Sequence, residues 1–190
     1  MDLKDKVALV TGGTKGIGAA AAIALGQRGA HVAINGRHED DEAAETRRRI
    51  QQLDRQCEVI LGDVSLPDEA KRCVEEAVRK LGGVDVLIHS AGAATLGTIF
   101  DVEPDDWMKA FDVHVHAVYH LCRAAVPVMK TKKEGAIILI SSGAGMRGCP
   151  GTICYQTVKG ALPQMARALA RDFADDNIRV NAVAPGIIRT

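Results

Sequence analysis

Residues 7–28 read VALVTGGTKGIGAAAAIALGQR, a short apolar run followed by a glycine-rich turn and an alanine-rich stretch. The run at 7–11 predicts a buried strand, and the stretch from about residue 17 to residue 28 predicts a helix. A glycine-rich turn between a strand and a helix lets backbone N–H groups approach a pyrophosphate at the positive end of that helix. The turn lacks the Lys-Ser/Thr ending of a P-loop, which disfavours mononucleotide hydrolysis. Binding of a pyrophosphate is therefore indicated, with a tight structural turn as the alternative.

The alternation of strand and helix signals continues along the whole chain. Further apolar runs predict strands at 31–35, 58–61, 84–89, 136–141 and 178–183, and the segments between them predict helices at 40–55, after Pro67, at 104–130 and at 153–171. Strands that are apolar on both faces and alternate with helices argue for a parallel sheet covered on both sides. Right-handed crossovers then give a doubly wound, Rossmann-type α/β fold, a three-layer α/β/α sandwich. We expect residues 1–190 to form a single domain of this class.

Composition narrows the classes of function. Apolar residues make up 47% of the chain, and 24 basic residues balance 24 acidic ones, so the net charge is zero. That balance gives no support for broad attraction to nucleic acid or to an anionic membrane surface. The N-terminus lacks the layout of a signal peptide, and no run approaches the ~18 apolar residues of a membrane span. The five cysteines have no metal-ligand spacing, so we expect a cytoplasmic protein with reduced thiols and no metal site.

One pair of side chains suggests proton chemistry. Tyr155 and Lys159 lie four residues apart in a predicted helix and therefore share one of its faces. A neighbouring ammonium favours the phenolate, and so makes a phenol a proton donor that works near neutral pH. The spacing alone proves little, because Tyr119 and Arg123 share it and are interpreted as helix surface. Ser142 precedes Tyr155 by thirteen residues and is either part of the same site or a simple turn serine.

Four segments together resemble the short-chain dehydrogenase/reductase family, and within it the 3-oxoacyl-[acyl-carrier-protein] reductases. They are TGGTKGIG at 11–18, Ser142, Tyr155-x-x-x-Lys159 and NAVAPGIIRT at 181–190. They occur in the family's order and span essentially the whole chain. The resemblance implies an enzyme that interconverts a ketone or aldehyde and an alcohol by hydride transfer with a nicotinamide cofactor. A regulatory or scaffold protein that keeps the cofactor but has lost turnover is the alternative. An epimerase or dehydratase of nucleotide sugars would need a larger C-terminal substrate domain.

The resemblance also implies which residues contact the cofactor. The glycine turn would wrap the pyrophosphate, Asp63 would meet the adenine, the segment 90–92 would wall the pocket and the segment 185–190 would hold the carboxamide. Asp63 could instead cap a turn, and the segment at 185 could simply end a strand. The residues assigned to cofactor binding are Gly12, Thr14, Lys15, Gly16, Ile17, Gly18, Arg37, Asp63, Val64, Ser90, Ala91, Gly92, Tyr155, Lys159, Pro185, Gly186, Ile188 and Thr190.

The choice between cofactors is argued from charge. Rossmann proteins that prefer NAD place an acid near the end of the second strand, where it binds the ribose 2′-hydroxyl. This chain has Asn35-Gly36-Arg37 at that position and no acid until Glu39. Arg37 and Lys15 would instead pair with a 2′-phosphate, and a hydrogen bond to a charged group is worth about 1.5–3 kcal/mol. We therefore expect NADP(H) rather than NAD(H), with surface charge as the alternative for both cations.

Four residues are assigned to catalysis by the resemblance. Tyr155 would donate a proton to the developing alkoxide, Lys159 would favour its phenolate and bind the nicotinamide ribose, and Ser142 would hydrogen-bond the substrate oxygen. The family carries an asparagine after a valine in the helix that follows strand four, whereas here His114 follows Val113. His114 either holds a similar water and titrates near neutral pH, or is a packed helix residue.

The end of the chain is the second departure from the family. Its members continue for several dozen residues beyond the position of Thr190 and there supply a substrate-covering loop, a helix and a seventh strand. We therefore expect the native chain to continue, because strand six would otherwise be an exposed apolar edge. The family is often tetrameric through two long helices, here at about 104–130 and 153–175, so a homo-oligomer, either dimer or tetramer, is expected. The small-molecule carbonyl or alcohol substrate is not identified by these motifs.

Overall fold

A computed structural model describes residues 3–189 and contains one sheet of six parallel strands in the order β3-β2-β1-β4-β5-β6. The chain starts in the middle of the sheet, builds outward to β3, returns to the far side of β1 and builds outward again to β6. The doubly wound sheet is therefore confirmed. The strands are β1 Val7–Thr11, β2 His31–Gly36, β3 Cys57–Leu61, β4 Val86–His89, β5 Gly135–Ile140 and β6 Ile178–Val183.

The helices lie between the strands on both faces of the sheet. They are α1 Gly16–Gln27, α2 Asp41–Gln51, α3 Pro67–Leu81, α4 Pro104–Phe111, α5 Ala117–Lys132 and α6 Ile153–Asp172. A π-helical turn, Asp112–His116, joins α4 to α5. The single helix predicted for 104–130 is thus interrupted, while Pro127 lies inside α5 and does not end it.

Two buried clusters show how the layers form. Leu9 of β1 faces a cluster that includes residues of α3, α5 and α6, whereas its neighbours Ala8 and Val10 face a second cluster that includes α1 and α2. This is the alternation that a strand covered on both faces requires. The three-layer α/β/α sandwich is confirmed. No helix within residues 3–189 combines the length and apolar character needed to cross a bilayer.

β6 is an edge of the described sheet and alternates in character. Ile178 and Val180 are buried, whereas Arg179 and Asn181 are exposed. The exposed face is therefore more polar than the apolar edge that was expected, although Val183 is 48% exposed.

The carboxyl ends of all six strands lie at one edge of the sheet, since every pairing is parallel. β1 and β4 are neighbours from which the chain winds in opposite directions, and ligands of such sheets bind in the crevice at this switch point. The loops that follow β1 and β4 meet there. A Cβ atom on Gly12 would lie 2.8 Å from the Cα of Ala91.

Candidate active site

The glycine turn after β1 forms a cradle of backbone atoms. Gly12 and Gly16 have positive φ angles of 63° and 57°, which glycine adopts most readily. A Cβ atom on Gly18 would overlap the Gly12 carbonyl oxygen, so the turn can close only around glycine. No side chain caps α1 at Lys15, and its first turn contains no acid. The open N–H groups and the helix dipole suit an anionic group such as a pyrophosphate.

The other two predicted residues of the turn are packed rather than open. Thr14 is buried, its carbonyl accepts from the Thr46 hydroxyl at 3.0 Å, and a Cβ atom on Gly36 would lie 2.6 Å from its methyl group. Ile17 packs against the core cluster beneath α1. Both residues therefore hold the shape of the turn.

The two cations predicted to bind a 2′-phosphate differ in their surroundings. Arg37 follows β2, is exposed, and makes no ion pair or hydrogen bond within residues 3–189. Lys15 already faces Glu42, with 3.2 Å between Nζ and the carboxylate. Asn35, buried at the end of β2, donates to the carbonyls of Ile60 and Gly62 and so belongs to the sheet. Arg37 is the cation left available at this end of the crevice.

Asp63 follows β3 and caps a turn. Its Oδ1 accepts from the Ser65 N–H at 3.0 Å and from the Ser65 hydroxyl at 2.7 Å. The turn-capping alternative is therefore present, while Oδ2 makes no hydrogen bond within the described residues. Val64 beside it is buried in the core.

His89, the last residue of β4, was missed by the sequence reasoning. Its Nε2 lies 3.0 Å from the Val113 carbonyl and its Nδ1 lies 2.8 Å from the Thr11 hydroxyl. A carbonyl only accepts, so Nε2 carries the hydrogen and Nδ1 accepts from Thr11. Burial, reinforced by the positive charge of Lys159, lowers the pKa of His89 to about 3. A histidine at the end of the apolar run VDVLIH was the available signal.

His114 lies in the π-helical turn and is fully buried. Its Nε2 donates to the Ala93 carbonyl at 2.9 Å, whereas Nδ1 has no hydrogen-bond partner among the described residues. Burial, with Lys159 second, lowers the pKa of His114 to about 4, which disfavours the alternative that this ring titrates near neutral pH. A Cβ atom on Gly92 would overlap the His114 ring, which shows how closely the wall of the crevice lies against it.

The two histidines connect the same two elements in opposite directions. His89 of β4 donates to the carbonyl of Val113 in the π turn, and His114 of the π turn donates to Ala93 in the loop after β4. A π turn loosens the regular helical hydrogen-bond ladder, which lets such outside donors in. Hydrogen bonds from the neutral rings of His89 and His114 therefore hold the π turn against the crevice.

Lys159 and Tyr155 complete this cluster on α6. Lys159 is only 5% exposed, its Nζ donates to the Ile140 carbonyl at 2.8 Å, and burial lowers its pKa to about 8. Nζ lies 5.8 Å from the centre of the Tyr155 ring, and the His114 ring meets that ring edge-on at 6.1 Å between centroids. The structure thus brings together Tyr155, Lys159 and His114.

Ser142 follows β5 and begins the short 3₁₀ turn Gly143–Met146. Its Oγ accepts from the Ala144 N–H at 3.2 Å, so it does act as a turn serine. The same oxygen keeps its own hydrogen, which remains able to be donated elsewhere. The Gly143 N–H donates to the Pro185 carbonyl at 2.8 Å and so joins this turn to the segment after β6.

The remaining predicted residues lie around the crevice with fewer contacts. The Ser90 N–H donates to the Thr11 carbonyl at 3.1 Å, and Ala91 is half-buried beside the main core. Gly186 and Ile188 are exposed, and Thr190 lies outside the described residues.

A cavity of about 380 Å³ lies between the segment 97–99 and the segment 149–157, where α6 begins. Gln156 shapes its wall, because its amide binds the backbone N–H and carbonyl of Cys149 and the hydroxyl of Thr152. Its lining contains no charged side chain and includes Cys149, whereas Cys154 is buried in a separate cluster.

These features define a class of protein before any comparison. A doubly wound parallel sheet with an uncapped glycine cradle at its first strand–helix junction is a Rossmann-type dinucleotide-binding unit. A family model described as short chain dehydrogenase matches residues 6–190. The chain belongs to the short-chain dehydrogenase family, as predicted, and is an oxidoreductase that acts on CH–OH and C=O groups.

Individual relatives agree with this assignment. A versicolorin reductase from Emericella nidulans is 39% identical over 189 residues, which cover 99% of this chain and 71% of the relative. An L-sorbose reductase structure from Gluconobacter frateurii, complexed with NADPH and L-sorbose, has a TM-score of 0.95 at 31% identity. The match covers 100% of this chain and 72% of the reductase chain. An NAD⁺-bound xylitol dehydrogenase structure has a TM-score of 0.94 at 28% identity, with coverages of 100% and 73%. The cofactor is therefore a nicotinamide dinucleotide.

The chain spans between 65% and 71% of the length of several curated relatives that it matches.

Proposed function

We propose that this protein catalyses the NADP(H)-dependent interconversion of a small ketone or aldehyde and the corresponding alcohol. The observation that carries the proposal is the cluster of Tyr155, Lys159 and His114 at the same edge of the sheet as the glycine cradle. When bound, the nicotinamide supplies or accepts the hydride. The residues of the chain bind, orient and move the proton.

Tyr155 is the proposed proton donor to the substrate oxygen in the reducing direction. Lys159 stays charged at neutral pH, because its pKa of about 8 lies above that range. Its bond to Ile140 uses one of the three N–H groups of the ammonium and leaves two for a ribose and for solvent. The nearby positive charge favours the phenolate that remains after Tyr155 gives up its proton. Ser142 donates its hydroxyl hydrogen to the same substrate oxygen and so positions it.

His114 is proposed to order a water molecule through which the proton of Tyr155 is replaced. Because its ring is neutral and Nε2 is bound to Ala93, the free Nδ1 lone pair accepts a hydrogen bond. A water molecule bound there would lie within the Tyr155–Lys159 cluster. In this role His114 orders the water through its lone pair and is not itself protonated near neutral pH.

The cofactor contacts proposed are those assigned from the sequence. The cradle at 12–18 takes the pyrophosphate, the segments 63–64 and 90–92 flank the adenosine and the ribose, and the segment 185–190 meets the carboxamide. Preference for NADP(H) is supported by the guanidinium of Arg37 just after β2, which pairs with no group among residues 3–189, whereas Lys15 contributes less because Glu42 already pairs with it. Related structures hold either cofactor, NADPH in the sorbose reductase and NAD⁺ in the xylitol dehydrogenase, so the proposed preference rests on Arg37.

The cellular location and the assembly of the protein are also proposed. We infer that the protein functions in the cytoplasm, where its five free thiols would stay reduced. Assembly into a dimer or tetramer is supported by large apolar side chains left exposed on and before α4 and α5. They are Phe100, which is 94% exposed, Met108, which is 51% exposed, and Tyr119, which is 52% exposed.

The test is oxidation of NADPH by the full-length protein against a panel of small ketones, aldehydes, sugars and a 3-oxoacyl thioester. We expect turnover with at least one of them, and we expect Tyr155→Phe to lower kcat by about 10²–10⁴-fold while NADPH affinity is kept. Tyr119→Phe is the matched control, since Tyr119 also stands beside a cation. Near-native activity of Tyr155→Phe would refute the proposal, and NADPH binding without turnover on any substrate would favour the scaffold alternative.

A further inference from the structure

The interior of α6 contains Pro163, four residues after Lys159. In a regular helix the carbonyl of Lys159 would accept from the backbone N–H of residue 163, but proline has no N–H. The proline ring also crowds the carbonyl four residues earlier. The carbonyl of Lys159 therefore needs a hydrogen-bond donor from outside the helix, because a buried carbonyl without a partner costs free energy of folding.

Ser141 supplies that bond. Its hydroxyl donates to the Lys159 carbonyl at 2.6 Å, and both residues are buried, with 3% and 5% exposure. Ser141 is itself fixed in the sheet, since its backbone N–H donates to the Val183 carbonyl at 2.8 Å. The missing bond of the helix is thus replaced by a bond from the end of β5.

The side-chain ammonium of Lys159 is bound by Ile140, the residue before Ser141. Nζ donates to the Ile140 carbonyl at 2.8 Å, so two consecutive residues at the end of β5 grip Lys159, one by its ammonium and one by its backbone. A Cβ atom on Gly145 would lie 2.6 Å from the Lys159 carbonyl carbon, which shows that the turn after β5 packs directly on this part of α6.

We propose that Ser141 is a positioning residue for Lys159 and that Pro163 is the reason it is needed. This inference rests on the role proposed above for Lys159 and gives Ser141 a different task from its neighbour Ser142. Ser142 would touch the substrate oxygen, whereas Ser141 acts only through the backbone of Lys159.

A double-mutant cycle tests the coupling between Ser141 and Pro163. In the native background, Ser141→Ala leaves the Lys159 carbonyl without a donor, and we expect NADPH affinity and kcat to fall by about ten-fold or more. In the Pro163→Ala background, the N–H of the new alanine satisfies that carbonyl, and the same change at Ser141 is expected to cost about two-fold or less. The Michaelis constant for a small ketone should change little in either background.

Matched controls separate positioning from general stability. Pro127→Ala removes the other proline inside a helix, in α5, and should not rescue Ser141→Ala. Ser142→Ala should lose turnover equally with or without Pro163. Ser141→Thr keeps a hydroxyl and should retain most of the affinity. If Ser141→Ala alone fails to fold, we expect that adding Pro163→Ala restores folded protein, which would show the same coupling between the two positions.

The outcomes that overturn the inference are distinct from those that overturn the proposed function. Equal losses from Ser141→Ala in both backgrounds, or a loss of thermal stability with unchanged NADPH affinity and kcat, would reject the positioning role. A double variant that stays unfolded would reject it as well. Lys159→Ala with native NADPH affinity would instead refute the role of Lys159, even where the coupling between Ser141 and Pro163 is still measured in melting temperature.

Discussion

The two halves of the sheet's carboxyl edge are built on opposite principles. After β1, β2 and β3 the crevice presents open backbone N–H groups, an exposed guanidinium at Arg37 and a carboxylate at Asp63. After β4 and β5 it presents buried groups, His89, His114 and Lys159, each with a lowered pKa. The first half can bind anions through shape and local charge. The second half keeps His89 and His114 neutral and shields the Lys159 ammonium from solvent. Perturbed pKa values of this kind are typical of proton-transfer sites.

The largest expected effect tests whether shape alone governs the first half. Gly18→Ala places a Cβ atom onto the Gly12 carbonyl and forces the cradle open. Two or more charge-assisted hydrogen bonds to the pyrophosphate would be lost, at about 1.5–3 kcal/mol each, so NADPH affinity should fall about a thousand-fold. Fluorescence titration with NADPH measures it.

Gly26→Ala, in the same helix, is the control for that experiment. A Cβ atom at Gly26 would lie 3.3 Å from the end of the Leu53 side chain, a contact that small adjustments relieve. We expect native affinity there. Native affinity in Gly18→Ala as well would show that the cradle is not the binding site.

The second prediction concerns the buried half and acid. His89 and His114 have pKa values of about 3 and about 4 in the folded protein, below the ordinary 6.5. The unfolded chain therefore binds more protons than the folded one as the pH falls below 6.5. Each ring thus removes on the order of 3 kcal/mol of stability by pH 4. Unfolding free energies measured by urea titration between pH 7 and pH 4 should show this loss.

Substitution separates these rings from other acid effects. His114→Asn should lower stability at pH 7 but make its fall toward pH 4 shallower, because one suppressed protonation has been removed. His38→Gln, at an exposed histidine, is the matched substitution for comparison. An unchanged slope in His114→Asn would mean that the ring is not held neutral by burial.

The smallest effect tests the local charge of the first half. Arg37→Ala should reduce the preference for NADPH over NADH by about ten- to hundred-fold, the worth of one hydrogen bond to a charged group. Lys15→Ala should change it by less than about three-fold, because Lys15 is exposed and shared with Glu42. Affinities for both cofactors provide the comparison. Equal effects of the two variants would remove the distinction drawn between these cations.

The fold and the outline of the site could be predicted because their signals are local. Apolar runs alternating with helical segments define strands covered on both faces, and Gly12 and Gly16 of the turn after β1 are favoured by their own positive φ angles. The spacing of Tyr155 and Lys159 needs only a helix between them. The π turn at 112–116 was not predictable, because its sequence continues a helical pattern on both sides.

By itself, the sequence determined the doubly wound class, the cradle and the pairing of a phenol with an ammonium, since each depends on residues a few positions apart. The tertiary structure alone decided which groups are buried together. Thr11 and His89 are 78 residues apart and His114 and Ala93 are 21 apart, yet each pair shares a hydrogen bond. It also gave Ser141 a partner 18 residues away, because Pro163 leaves the Lys159 carbonyl open. Burial sets the protonation of these groups, and burial exists only once the strands and helices have packed.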